Sequence, residues 1–333
     1  MKSGSQARDG SRTLINNFAA PLAQVMLDCS IKIADGSSSL MKRVTWKATS
    51  AAVKVLGLSE TLVHYDLYGR SIQIFAASGI PSVRSRFPNH CRNLQRIAAV
   101  VSSKYPHPSM IDVGANIGDT ALTMRSSTDG PILCVEASQR YAALCRENLA
   151  GLANIVVVKA FVGTGSPIGV LLIERGGTGR GTADGTSVTP TITLAELAES
   201  YGFSEARLVK VDTDGFDGRV IQASSPWLKE TKPVLFWEFE LSGDEANRGP
   251  GERVFDILGE AGYDRFMFWT NIGDYVLTAK IEDRDVLNDL SFYLGRRENR
   301  DHVPPHYADV CAFSKRDADL CEAILRLERA QRG

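Results

Sequence analysis

Residues 110–122 read MIDVGANIGDTAL. A short apolar strand pattern takes in Asp112, Gly114 and Gly118 bracket a turn, and a helical pattern starts at Asp119. A strand that runs through a glycine-bearing turn into a helix lets a ligand approach the backbone closely, and several cofactor classes use that device. From residue 109 onward, apolar runs at 109–113, 131–135, 155–161, 207–212 and 233–239 alternate with helical patterns near 119–127, 139–150, 192–201, 218–229 and 252–261. Strands separated by helices predict a parallel sheet covered on both faces.

Downstream, DRFMFWT (264–270), DYVLTAK (274–280) and HYADVCAFSK (306–315) read as strands, the last as an antiparallel edge. The glycine-dense segment 163–190 has no G-K-[ST] and no helix after it, so it reads as a hairpin and flexible excursion rather than a phosphate loop. Upstream, 91–105 is a helix leading into the opening motif, and 62–78 alternates about Tyr68-Gly69-Arg70 as a β-hairpin. In 38–57, Leu40, Val44, Ala48, Ala51 or Ala52, and Val55 recur at helical spacing, with Lys42, Arg43, Lys47 and Lys54 elsewhere. Packing of that apolar stripe on its own protein is the expectation, and a membrane-surface role for the basic face the alternative. Residues 1–35, polar around one short apolar patch, read as a flexible segment.

The 333 residues suggest about two structural units, or one domain with an extension. Hydrophobic residues at 44% and a formal charge of −1 describe a globular protein without the basic excess of a nucleic-acid binder. Six scattered cysteines, none in a C-x-x-C pair, point to a reducing compartment rather than a disulfide framework or zinc cluster. No signal pattern opens the chain and no apolar run of ~18 residues occurs, so a cytoplasmic protein without a membrane span is expected.

Four strand ends bear on the ligand. The first offers G-x-x-x-G, with Asp112 two residues before Gly114, where a dinucleotide fingerprint needs G-x-G-x-x-G. At ~4 Å and an effective dielectric of 20, an ionised Asp repels a pyrophosphate by about 4 kcal/mol and attracts an amine or sulfonium equally. S-adenosylmethionine carries both cations. The second end is Glu136 in ILCVEAS, where one carboxylate can accept the 2′- and 3′-hydroxyls of a ribose. The third, Ala160-Phe161-Val162, suits an apolar wall beside adenine. The fourth, LVKVDTDGFDGRV, places Lys210, Asp212 and Asp214 on one strand face, and PVLFWEFE places Glu238 and Glu240 on one face of the next. Direct catalysis and a structural Lys210–Glu238 ion pair both remain open for this last group.

MIDVGANIGDTAL, CVEAS, LVKVDTDGFD and KPVLFWEFE, in this order, resemble the FkbM family of S-adenosylmethionine-dependent methyltransferases over roughly residues 80–315. The resemblance implies an α/β fold: a class I methyltransferase Rossmann-like sheet, mostly parallel, of seven strands with an antiparallel edge hairpin. It implies a methyltransferase domain over 106–315, preceded by a helix and hairpin extension over 36–105 and followed by a C-terminal helix over 316–333. By motif, Asp112, Gly114, Ala115, Asn116 and Gly118 hold the methionine moiety, Glu136 and Ala137 the ribose side, and Phe161 the adenine. Asp212 stands near the transferring methyl, with Lys210, Asp214 and Glu238 around it. Many members carry Glu where Asp214 and Asp217 stand here, a departure that shortens the reach of both positions.

The implied reaction is O-methylation of a hydroxyl on a sugar, glycan or polyketide-type molecule, with Asp212 as base or orienting acceptor and Lys210 supporting it. Asp212, Asp214 and Glu238 are compatible with a magnesium ion, which nothing in their spacing demands. His90 reads as a lid residue or a structural histidine, and His306 as the latter; the cysteines, Trp237 and Trp269 read as packing. A nicotinamide-dependent oxidoreductase and a non-catalytic subunit of the same fold are the rival readings. A homodimer through the N-terminal helices is compatible with the sequence.

Overall fold

In the computed structural model, residues 6–175, 178–183, 188–241, 249, 251–295 and 307–330 are described. His306 and parts of the glycine-dense excursion lie outside them. The chain divides into a smaller unit, Met1–Pro88 with Glu174–Thr178, and a larger one formed by the remainder.

In the smaller unit, helices α1 (Gln6–Ala34) and α2 (Ser39–Val55) precede the hairpin β1 (Leu62–Leu67) and β2 (Arg70–Phe75) and a short α3 (Ile80–Arg86). The hairpin turns on Tyr68 and Gly69, both at positive φ, as a two-residue connection requires. Of the segment expected to be flexible, Gln6–Ala34 is helical. Its inward positions, Ala23, Leu27, Ser30 and Ala34, recur at three- and four-residue spacing but are mostly small, so they give a weak apolar signal. Gln24 fixes α1 to β1, donating to the His64 carbonyl at 3.0 Å and accepting from its N–H at 2.6 Å.

A second expectation is reversed in α2. The stripe of Leu40, Val44, Ala48, Ala51 and Val55 faces solvent, while Trp46 and Val53 on the opposite side are buried. Helical periodicity identifies a face; it does not say which face turns inward.

The larger unit begins with α4 (Arg92–Lys104), whose Leu94, Ile97, Ala98 and Val101 are buried. Arg96 of α4 pairs at 2.6 Å with Glu328 near the C-terminus, so the lead-in helix belongs with the sheet and the division falls at Pro88 rather than near residue 105. Then follow β3 (Met110–Val113), α5 (Asp119–Arg125), β4 (Ile132–Glu136), α6 (Gln139–Leu149) and β5 (Ile155–Lys159). After a ribbon of β6 (Val170–Arg175) and β7 (Thr178–Ala183) come α7 (Leu194–Tyr201), β8 (Leu208–Val211), α8 (Asp217–Thr231), β9 (Val234–Glu240) and α9 (Val254–Glu260). The closing elements are β10 (Tyr263–Thr270), β11 (Tyr275–Lys280), α10 (Arg284–Gly295), β12 (Tyr307–Ser314) and α11 (Ala318–Ala330).

One eight-stranded sheet runs β11-β10-β12-β9-β8-β3-β4-β5. The five strands from β9 to β5 are parallel, and β12, β10 and β11 add antiparallel, making the Rossmann-like α/β arrangement expected. Two details differ from expectation. The sheet gains β11 as an eighth strand, and β12 lies between β9 and β10 instead of at an edge. Val310, Cys311, Ala312 and Phe313 are all wholly buried, which an edge position could not provide. Phe255 of α9 packs edge-on to Phe239 and Phe266 and anchors one side of the core. Among the described residues, no helix is long and apolar enough to cross a membrane.

Candidate active site

The carboxyl ends of β3, β4 and β8 meet. After Val113 the chain turns through Gly114, Asn116 and Gly118, all at positive φ, before α5 begins. The N–H groups of Gly114 and Ala115 both donate to the Val135 carbonyl, at 2.8 and 3.0 Å, so β4 holds the turn. A Cβ on Gly114 would land on the Asp212 carbonyl oxygen, and one on Gly118 would press on Leu149 and Cys145. Both glycines are demanded by close packing within the protein, not only by clearance for a ligand.

Glu136 closes the turn from the other side. It is 7% exposed, and its two oxygens accept from the N–H groups of Asn116 at 2.8 Å and Ser138 at 2.7 Å. Burial raises its carboxyl above the usual range, and the two donors and Lys210 oppose the rise. Each oxygen keeps acceptor capacity for another donor. Beyond it, Ala137, Ala160, Phe161, Ile192, Leu197 and Tyr201 line a cleft of about 550 Å³ outside β4 and β5. Phe161 stands edge-on to Phe216 at 5.5 Å.

Lys210 stands beside Asp112 in the parallel register. Its ammonium, 1% exposed, lies 3.0 Å from Asp112 and 3.4 Å from Asp212, and donates to the Gly114 carbonyl at 3.1 Å. Burial works against this ammonium, but Asp112, Asp212 and Asp119 outweigh it and hold it charged, above its ordinary value. The structural pair is therefore Lys210–Asp112, not Lys210–Glu238. Asp112 is wholly buried, compensated by Lys210 at 3.0 Å and bonded to the Thr120 hydroxyl at 2.6 Å. Asp212, 42% exposed, is the carboxylate of this group that reaches solvent.

Asp214 does not share the face of Lys210 and Asp212, because β8 ends at Val211 and Asp214 enters the turn at φ 52°. Asp217 turns back on that loop, accepting from Thr213 N and Gly215 N at 3.3 Å each, and is 3% exposed. Glu238 on β9 is the cross-strand partner of Asp309 on β12, a residue not singled out in the sequence. Asp309 accepts from the buried Asn93 of α4 at 2.7 Å. Alternation along YADVCAF marks Asp309 as sharing a face with Tyr307, yet only the placement of β12 brings it here. His90 lies at the turn into α4 with its ring 3.2 Å from Cys91 Sγ, and Trp237 and Trp269 are buried. Among the described residues, no group of three His, Cys, Asp or Glu side chains is arranged to hold a metal ion.

Burial raises the carboxyls of Asp217 and Asp309, each to about 7, with the Asp212 charge adding to both. Glu238 is pushed well above its ordinary value by burial, then by Asp212, Asp217 and Asp309. Between about pH 4 and 7 the folded state thus binds protons that the unfolded chain has released, so stability falls as pH rises through that window. Asp309→Asn keeps an acceptor for Asn93 and removes the cost of ionisation. Its stability gain in urea unfolding should be larger at pH 8.5 than at pH 5 by roughly 2–3 kcal/mol. An equal gain at both would mean that Asp309 titrates normally in the fold.

Residues 112–265, which span these strand ends, match the family model described as the methyltransferase FkbM domain. That stretch resembles an FkbM methyltransferase domain. No curated protein matches it in sequence. Among solved structures, the chain is similar to a precorrin-6y C5,15-methyltransferase from Geobacter metallireducens (15% identity, 66% of this chain and 87% of that chain, TM-score 0.35). It is also similar to an O-methyltransferase from Bacillus cereus in complex with SAH (12%, 67% and 80%, 0.39) and to a methyltransferase FkbM from Methylobacillus flagellatus (13%, 62% and 43%, 0.32). Within the matched segment, Asp112 is the first residue, and β3 through the start of β10 supply the strand ends described above.

Proposed function

We propose that this methyltransferase uses S-adenosylmethionine to methylate a hydroxyl on a sugar, glycan or polyketide-type molecule. The observation that supports the cofactor most directly is Glu136, a buried carboxylate with spare acceptor capacity between the 114–118 turn and the apolar cleft at Ala137 and Phe161. A ribose would donate to Glu136, an adenine would use the cleft, and the methionine moiety would lie along Gly114, Ala115 and Asn116. The cofactor supplies an electrophilic methyl group on a sulfonium.

The chain's own contribution is to place an acceptor and receive its proton. Asp212, partly exposed, is the base or orienting acceptor. Lys210 is too buried to touch substrate and acts as a positioning residue, holding Asp212 and Asp112 in place. Glu238, whose carboxyl is pushed well above its ordinary value by burial and by the carboxylates around it, suits a hydrogen-bond donor to the acceptor better than a base.

Calorimetric titration with S-adenosylhomocysteine and, separately, NAD⁺ tests the reading. The wild type is expected to bind the first alone, and Glu136→Ala, checked for an unchanged far-UV spectrum, to weaken that binding about 30- to 100-fold for two charge-assisted hydrogen bonds. Binding of NAD⁺ alone, or S-adenosylhomocysteine affinity indifferent to Glu136, would overturn it.

A further inference from the structure

The apolar stripe of α2 is exposed although the helix has already buried its other side. At about 100° per residue, Leu40, Met41, Val44, Ala48, Ala51 and Val55 fall within one narrow sector, opposite the buried Trp46 and Val53. Leu40 is 71% exposed, Val44 53% and Val55 84%. α1 repeats the arrangement. Phe18, Leu22, Val25, Cys29 and Ile33 form an exposed stripe, distinct from the buried Ala23, Leu27, Ser30 and Ala34. Each helix thus buries one side and leaves an apolar stripe on the other, together more apolar surface than a soluble fold leaves bare without use.

The charges beside the α2 stripe bear on the partner. On α2, Arg43, Lys47 and Lys54 line one edge of the stripe, and no acidic residue occurs from Ser39 to Val55. Residues 1–88 carry eleven Lys and Arg against five Asp and Glu, in a chain whose formal charge is −1. An apolar face edged by cations matches a surface that offers hydrocarbon beneath anionic groups. A second copy would bring an equal positive excess against the first, and a soluble polyanion would leave the stripes uncovered. We infer that the exposed faces of α1 and α2 dock this protein on an anionic membrane surface, with the stripes entering the interface and Arg43, Lys47 and Lys54 meeting phospholipid headgroups.

Co-sedimentation of the full chain with vesicles of phosphatidylcholine alone, and of phosphatidylcholine mixed equally with phosphatidylglycerol, tests this directly. Binding is expected to the anionic vesicles only and to weaken with salt. The triple variant Arg43→Gln, Lys47→Gln, Lys54→Gln should lower partitioning on the order of a hundredfold. Leu22→Asp with Val44→Asp, both at solvent-facing positions, should abolish it with an unchanged far-UV spectrum. Absence of binding to anionic vesicles overturns the inference, as does equal binding to neutral ones. Self-association in sedimentation velocity that Val44→Asp removes, without vesicle binding, would assign the face to a second copy instead.

Discussion

Gly114→Ala is expected to yield little or no folded protein. At φ +78° an alanine is already strained by about 1–2 kcal/mol, and its Cβ would occupy the place of the Asp212 carbonyl oxygen. That oxygen belongs to the backbone, and the Asp212 N–H is itself bonded to the Val113 carbonyl at 3.0 Å, so neither side can yield without parting β3 from β8. The combined cost should exceed ~4 kcal/mol, a large fraction of the stability of a typical domain. Gly151→Ala is the control: its φ is +80° but nothing lies within 4 Å of the added Cβ, so only the backbone strain of about 1–2 kcal/mol is expected. Soluble yield and thermal unfolding of the pair decide the matter. If both lose the same few degrees, the contact between the two strand ends is not what holds residue 114 to glycine.

Lys210→Met should come next in severity. It leaves Asp112 wholly buried with the Thr120 hydroxyl as its remaining side-chain donor, and breaking a buried pair from one side costs about 3–5 kcal/mol. In thermal unfolding this corresponds to a drop of about 10 °C for a unit of this size. The double variant Asp112→Asn, Lys210→Met removes both charges and should recover much of the loss, giving a coupling energy of a few kcal/mol. Because the folded ammonium is raised above its ordinary 10.5, its contribution is present below that value and is lost only as pH rises beyond it. The wild-type ammonium should therefore stay charged from pH 6 to 9, and any change of the gap with pH there reports the carboxyls that it faces, Asp309 among them. A single variant costing under ~1 kcal/mol, or a double variant no better than the single, would show the pair to be incidental.

What sequence reveals of this fold follows from locality. The five parallel strands are mostly apolar runs of four to seven residues, a signal carried within each segment. The turn at 114–118 and the carboxylates Glu136 and Asp212 are legible for the same reason. The partner of Lys210 is not. It depends on which residue of β3 lies beside residue 210 once two strands 98 positions apart (210 − 112) are in register, and that residue is Asp112. Asp309 and Asn93 escape notice because α4 and β12, separated by 216 positions, meet only in the folded sheet. In α2 the failure is of another kind: a helix with apolar residues on two opposed sides gives the same periodicity whichever side turns inward.

The position of β12 also bears on how the chain is assembled in time. β9 and β10 are made first, yet they cannot pair with each other, because the strand that belongs between them is translated later. During synthesis the parallel strands can gather around β3 while the β10–β11 hairpin forms by itself and waits. Arrival of Tyr307–Ser314 then zips both sides of the gap and delivers Asp309 to Glu238. The acidic end of the sheet is therefore among the last parts completed, and a nascent chain short of residue 307 presents two bare strand edges, an opening where a chaperone or a misplaced strand would compete.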